Sequence, residues 1–274
     1  MTPIIDAHVH LSERGDDQLI RYAKLNHLSY TLNEYLEIMR RMDISSGLLI
    51  SPPLDGGQPL NNEAVIELCR LSEWRLLPIL TTEPSTEAVS KALEIASETA
   101  NRVKGFKVRL GYVHVFADDP VYDSLYEYAD DKKLPVLFHT GDTATKGGSL
   151  VHSHPLTLDR LANRRPDLKI IACHFGNPWI EDVAELTYKH ENVYADVSGM
   201  VAGGGKYGAA YLGAVARKVS EAVYYVGSAK KILFGSDYPV STPGDILELV
   251  TRLHISQEDC EDILQKNARR IFKL

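Results

Sequence analysis

The stretch IIDAHVHL, running from Ile4 to Leu11, decides how this chain is read. It is an apolar run that carries two histidines, His8 and His10, two positions apart. Side chains on a β-strand alternate between its faces, so this spacing predicts that His8 and His10 project to one side and Ala7 and Val9 to the other. Two imidazoles about one pleat apart make half of a metal site. A lone His-x-His carries little weight. Here later apolar runs end in FHTGD, ACHFG and FGSDYP, and each adds one more residue of ligand type.

Working outward, apolar runs begin near Gly47, Leu76, Gly105 and Pro135, each about thirty residues after the last, the length of a βα unit. Further runs follow at Leu168 to His174, Val193 to Val197 and Ile232 to Ser236. Helical stretches fill the gaps at Asn62 to Leu71, Thr86 to Ala100 and Pro120 to Asp131. Thr31 and Glu34 read as a capping box for a helix ending near Met42. Asp119-Pro120, Asn177-Pro178 and Thr242-Pro243 share a capping residue followed by proline at the first helical position. Ser256 opens a last helix that ends near Arg270. Eight strands alternating with helices predict an α/β fold, a (β/α)8 TIM barrel, with residues 1–274 as one domain and no linker. The length of 274 residues suits that fold, which typically takes roughly 250.

Two connections stand out. Ser12 to Tyr30 is long, with room for a short helix, and in a barrel it would lie over the mouth as a lid. Gly203 to Gly205, beside Lys206, reads as a loop after strand seven rather than a phosphate nest.

Composition narrows the partners. The net charge is −7 with both signs interspersed, so no basic patch points to nucleic acid. The three cysteines, Cys69, Cys173 and Cys260, are far apart and read as buried thiols in a reducing compartment. No apolar run has transmembrane length, and no signal-peptide pattern precedes the first strand. The expectation is a cytoplasmic protein with a small-molecule substrate and no membrane or nucleic-acid partner. Homo-oligomerisation is left open.

In such a barrel the reacting groups sit at the C-terminal ends of the strands. The polar residues fall at those ends: His8 and His10, Lys107 and Arg109, His139, His174, Asp196 and Asp237. Singly each has a plainer reading. His139 or His174 would be a satisfied core histidine, Asp237 a turn cap before Pro239, and Lys107 a snorkelling surface cation. Together they form a polar ring where barrel interiors otherwise hold apolar residues. Imidazole nitrogens with a carboxylate oxygen suit Zn²⁺ or a similar divalent ion in an open, catalytic site. Such an ion brings the pKa of bound water to about 7.

The segments IIDAHVHL, GFKVRL, PVLFHTGD, IIACHFGNPW, VYADVSG and ILFGSDYP resemble the amidohydrolase superfamily, specifically its amidohydrolase-2 (amidohydrolase-related) branch. That branch includes aminocarboxymuconate semialdehyde decarboxylase, resorcylate decarboxylases and lactone hydrolases. The resemblance covers essentially the whole chain, including the closing KNARRIFKL. It implies His8, His10, His139 and Asp237 as ligands of one zinc per chain, with a second metal allowed. His174 would polarise substrate or water, or bind that second metal. On strand four the resemblance offers two roles for Lys107, a carboxylated bridge between two metals or a basic residue holding a substrate carboxylate. We expect the latter, with Arg109 and Asp196 also on the substrate side. A related group of nucleases has a glutamate on this strand, and this chain has none.

The function expected is a metal-dependent hydrolase in which activated water attacks an amide, lactone or ester carbonyl. Asp237 would take the proton and His174 would stabilise the oxyanion. The alternative is a non-oxidative decarboxylase or hydratase of a small carboxylated substrate on the same scaffold. A barrel without activity would need a broken ligand set, and every position is filled. The loops at Leu11 to Tyr30, Gly141 to His154 and Gly199 to Tyr211 would select the substrate, and His152 and His154 are candidate contacts.

Overall fold

The computed structural model describes residues 3–12, 19–51, 61–99, 102–201 and 208–274. Within these, eight parallel strands pair in sequence order: β1 (Ile4–Val9), β2 (Ile44–Ile50), β3 (Leu76–Thr82), β4 (Gly105–Val108), β5 (Val136–Phe138), β6 (Ile170–Ala172), β7 (Val193–Asp196) and β8 (Ile232–Leu233). Backbone bonds from Ala7 N–H to Phe234 O, His10 N–H to Tyr238 O and Asp237 N–H to His8 O join the two ends. The result is the expected (β/α)8 barrel. The Gly203 to Gly205 loop lies outside the described residues.

Two apolar layers organise the barrel. Ile5, Ala7, Leu48, Ile50, Leu77, Ile79, Leu137, Ile171, Cys173 and Leu233 fill its interior. Alternate residues such as Val9, Leu49, Leu80, Phe106, Val108, Phe138 and Ala195 pack outward against the helices. That period of two is what a parallel strand buried on both faces imposes.

β1 breaks the period, and this corrects one expectation. Asp6 is paired with Gly47 but Val9 with Leu49, so β1 carries one extra residue, a β-bulge. Ala7 therefore joins Ile5 in the interior, on the same side as His8 and His10. The Asp6 carboxylate holds the bulge in place. Its Oδ1 accepts from the His8 N–H (3.2 Å) and the Ser236 N–H (2.8 Å), and its Oδ2 accepts from the Tyr35 hydroxyl (2.8 Å).

The helices mostly fall where the sequence puts them: α1 (Ile20–Leu25), α2 (Leu32–Arg41), α3 (Asn62–Leu71), α4 (Thr86–Glu98), α5 (Asp123–Lys132), α6 (Leu150–Ser153), α7 (Leu158–Arg164), α8 (Ile180–Lys189), α9 (Gly208–Val226), α10 (Pro243–Thr251), α11 (Gln257–Glu261) and α12 (Asn267–Phe272). Thr242 with Asp245 forms a full capping box, and Ser256 and Asp119 also cap as expected. Two expected caps are not formed. Thr31 makes no cap bond, because Glu34 accepts instead from Ser29 and Tyr30 N–H and from the Tyr238 hydroxyl. Asn177 does not cap α8, which starts at Ile180 with Trp179 at the N-cap position; the Asn177–Pro178 bond is cis. The Ser12 to Tyr30 connection contains the short helix α1. From it Arg21 donates to Ala144 O (3.2 Å) and Asn26 to Pro239 O (2.8 Å), tying this segment to the loops after β5 and β8.

Candidate active site

The four histidines of the mouth each have one ring nitrogen committed to a fixed acceptor. A carbonyl oxygen only accepts, so the nitrogen facing it carries the proton. His10 Nδ1 donates to Ile50 O (3.0 Å), His139 Nε2 to Asp142 O (2.9 Å) and His174 Nδ1 to Ser198 O (3.1 Å). His8 Nδ1 donates to Asp196 Oδ2 at 3.0 Å. Burial, and then the positive charge of Lys107, pushes His8 down to about 3, and burial also lowers His139 and His174. These three rings are neutral, and their second nitrogens are bare.

Where those bare nitrogens point defines the site. His8 Nε2 and His10 Nε2 lie 3.4 and 3.2 Å from Asp237 Oδ1. Burial works to raise Asp237, but the neighbouring His174, His10 and His8 outweigh it and hold the carboxyl below its usual range. Ligands bound at 2.0–2.1 Å in a tetrahedral shell stand about 3.3 Å apart, so these three donors fit a divalent ion such as zinc. His174 Nε2 and His139 Nδ1 face each other at 3.1 Å. Two lone pairs at that distance repel unless a proton or a cation lies between them.

The expected residues therefore divide. His8, His10 and Asp237 form one group, and His8, His174 and Asp196 a second that shares His8. His139 is drawn in through His174 rather than standing with the first three. Asp196, expected on the substrate side, is buried beside His8 and His174. Its side chain is 1% exposed, with Oδ2 on His8 and Oδ1 accepting from the His174 N–H (2.8 Å) and the Ser198 N–H (3.1 Å). It meets His8 through the ring nitrogen turned away from Asp237. Lys107 is buried in the barrel, with its Nζ donating to Cys173 Sγ at 2.9 Å. Arg109 donates to Glu83 Oε1 at 2.7 Å and makes no contact with the histidines among the described residues.

Other residues complete the site without having been read from the sequence. Cys173 lies inside the barrel under Lys107, two residues on from the inward Ile171 as strand alternation requires, and the left-handed turn at His174 (φ +61) carries the His174 side chain inward as well. Ser198 Oγ sits 3.1 Å from His8 Nδ1 and 2.9 Å from His174 Nδ1. Gly199 (φ +65) leaves a space in which a Cβ would stand 2.7 Å from Asp237 Oδ2. Tyr112 packs its ring against His139, centroids 4.8 Å apart. Asp237 itself is left-handed (φ +59), a conformation that non-glycine residues keep where the surrounding structure enforces it. The substrate-loop candidates lie apart. His152 bonds Ser149 Oγ and stacks with His114 and Phe116, and His154 accepts from the Leu156 N–H at the start of a 3₁₀ turn.

A (β/α)8 barrel whose mouth gathers a His-x-His strand with histidines after β5 and β6 and an aspartate after β8 has the layout of metal-assisted barrel enzymes. The amidohydrolase family model matches residues 5–274, and the chain belongs to that family. Its members are hydrolases or decarboxylases. No match to a curated protein was found. Among solved structures, an uncharacterised TIM-barrel protein from Bordetella bronchiseptica has a TM-score of 0.78 at 17% identity, covering 99% of this chain and 98% of that one. A probable 2-pyrone-4,6-dicarboxylic acid hydrolase from Acinetobacter baumannii, with citric acid bound, reaches 0.72 at 18%, covering 100% of both chains. A dihydroxybenzoic acid decarboxylase from Polaromonas sp. JS666, with manganese and the inhibitor 2-nitroresorcinol, reaches 0.72 at 17%, covering 100% of this chain and 98% of that one. No helix among the described residues is long and apolar enough to cross a membrane.

Proposed function

We propose that this protein is a metal-dependent hydrolase acting on the carbonyl of a small carboxylated molecule. The observation that carries the reading is the convergence of the His8 and His10 Nε2 atoms on Asp237 Oδ1 at 3.4 and 3.2 Å. A divalent ion there, most simply one zinc held by these residues with His139 near by, supplies Lewis acidity and brings the pKa of water to about 7. The chain's own groups do the rest. Asp237 is ionised and takes the proton from water through Oδ2, which stands 3.9 Å from His174 Nδ1. His174 presents a bare Nε2, so it receives the proton that Asp237 has taken from water and passes it to the charge developing on the substrate oxygen. Lys107 holds a substrate carboxylate, and Asp196 keeps His8 in the ligating tautomer.

A pyrone dicarboxylic acid hydrolase and a dihydroxybenzoic acid decarboxylase share this fold at similar likeness. That favours a second reading, non-oxidative decarboxylation in the same pocket. Elemental analysis of purified protein tests the shared premise. About one divalent metal per chain is expected, and it should disappear in the His8→Ala/His10→Ala double variant. Stoichiometric metal that survives the double change would overturn the assignment. Released CO₂, measured against ring or ester opening, separates the two reactions.

A further inference from the structure

The β3–β4 wall of the mouth holds two polar groups whose bonding is incomplete. Leu77 and Ile79 face the barrel interior, so the period of two puts Thr81 on the same side. Thr81 pairs with Lys107 in the parallel ladder, which sets their side chains next to one another. The Thr81 backbone is clamped by Asn62, which donates to Thr81 O (2.8 Å) and accepts from the Thr81 N–H (2.9 Å). Its hydroxyl is shielded from water and has no partner among the described residues. Lys107 is 3% exposed, and its one hydrogen-bond partner among the described residues is the Cys173 thiol. An amine with three donors and a single weak sulfur acceptor is under-satisfied, as is a buried hydroxyl without a partner. The Cys173 thiol supports Lys107 from below.

We propose that Thr81 and Lys107 together form a carboxylate subsite, with Cys173 as its floor. Lys107 supplies the charge, Thr81 donates its hydroxyl to the second carboxylate oxygen, and Cys173 keeps the amine from withdrawing into the barrel. The ligand class is a small organic acid whose carboxylate seats on this wall while its reacting group meets the histidine cluster. This deepens the reading of Lys107 as a substrate-binding residue and rests on it. Thr81 is the new element, placed by strand register rather than by any motif.

The test uses the zinc-loaded full chain and two probes, isophthalate and benzoate, which differ by one carboxylate. Calorimetry gives the ratio of their affinities, and that ratio isolates the subsite. Thr81→Val keeps the shape and removes the hydroxyl. It should lower the ratio by about tenfold, the effect of losing one hydrogen bond to a charged group, and Thr81→Ser should restore it. The melting temperature of ligand-free Thr81→Val should equal or exceed that of the wild type, because an unsatisfied hydroxyl has been removed. A ratio within twofold of wild type, or a Tm lowered by several degrees, would overturn the role of Thr81. Lys107→Met separates the two levels. If it abolishes the preference and Thr81→Val does not, only the Thr81 inference fails. If Lys107→Met leaves the preference intact, the substrate-binding reading of Lys107 fails with it.

Discussion

Asp196→Asn is the change that most directly probes the proposal that these imidazoles bind metal. In the wild type Asp196 Oδ1 accepts from two backbone N–H groups, those of His174 and Ser198, and Oδ2 accepts from His8 Nδ1. The two amides cannot change roles, so an asparagine would turn its oxygen toward them and its NH₂ toward His8. A donor would then face a donor. His8 would move its proton to Nε2, the nitrogen 3.4 Å from Asp237 Oδ1, and lose the lone pair that faces the metal position. Removing a partner behind a ligating histidine commonly weakens metal binding by 10–100-fold. With the tautomer reversed as well, the upper end is expected, about a hundredfold or roughly 2.7 kcal/mol. The assay is zinc titration of metal-free protein against a chelator of known affinity, with circular dichroism to confirm folding. Asp196→Ala is the control, because it removes the acceptor without installing a donor, and it should weaken binding less. An Asp196→Asn protein that binds zinc within threefold of wild type, or no worse than Asp196→Ala, would refute the tautomer argument.

His174→Asn should leave folding and metal content near normal and reduce turnover by roughly a hundredfold or more, which steady-state kinetics beside elemental analysis would show; loss of metal would make His174 a ligand, and activity within a few-fold of wild type would remove its catalytic role. Gly199→Ala forces a Cβ to 2.7 Å from Asp237 Oδ2 at a φ of +65, so both zinc affinity and Tm should fall, the Tm by a few degrees. Asp6 gives a pH dependence. Its pKa is pushed up to about 6, chiefly by burial, against about 3.9 when unfolded. Its stabilising contribution is therefore complete below about pH 4 and is lost as pH rises through 6. The loss amounts to about 3 kcal/mol by pH 8. Asp6→Asn does not titrate, so in metal-free protein the wild type should lose about that much stability relative to the variant between pH 4 and 8. A difference that stays constant across that range in denaturant unfolding would exclude Asp6 as the titrating group.

What the sequence made legible is what repeats. The thirty-residue spacing of apolar runs gave eight strands, and the polar residue closing each run marked the mouth, because strand C-termini meet there whatever the loops do. The departures come from events that occur once. One extra residue in β1 moves Ala7 to the interior, and strict alternation cannot anticipate it. A left-handed turn at His174 brings that side chain inward beside Cys173, although the strand before it alternates normally. Neither event leaves a compositional trace, since histidine and alanine are ordinary strand residues and the bulge is held by Asp6 bonding to an amide two residues away.

The division of labour among the acidic residues was hidden for a different reason. Asp196 closes β7 and Asp237 lies just past the end of β8, and by residue type either is a ligand, a base or a substrate contact. Their roles separate through the nitrogen of His8 that each one meets. Asp196 takes the protonated Nδ1 and Asp237 faces the bare Nε2, so one carboxylate sets the tautomer that leaves a lone pair turned toward the other. The same logic runs through His10, whose Nδ1 is held by the Ile50 carbonyl at the end of β2, a strand with no ionisable residue in its run Ile44–Ile50. A strand that looked purely structural thus fixes the chemistry of its neighbour through a backbone atom. Side-chain identity alone carries no signal for that, which is why β2 reads as bare scaffold until the barrel is closed.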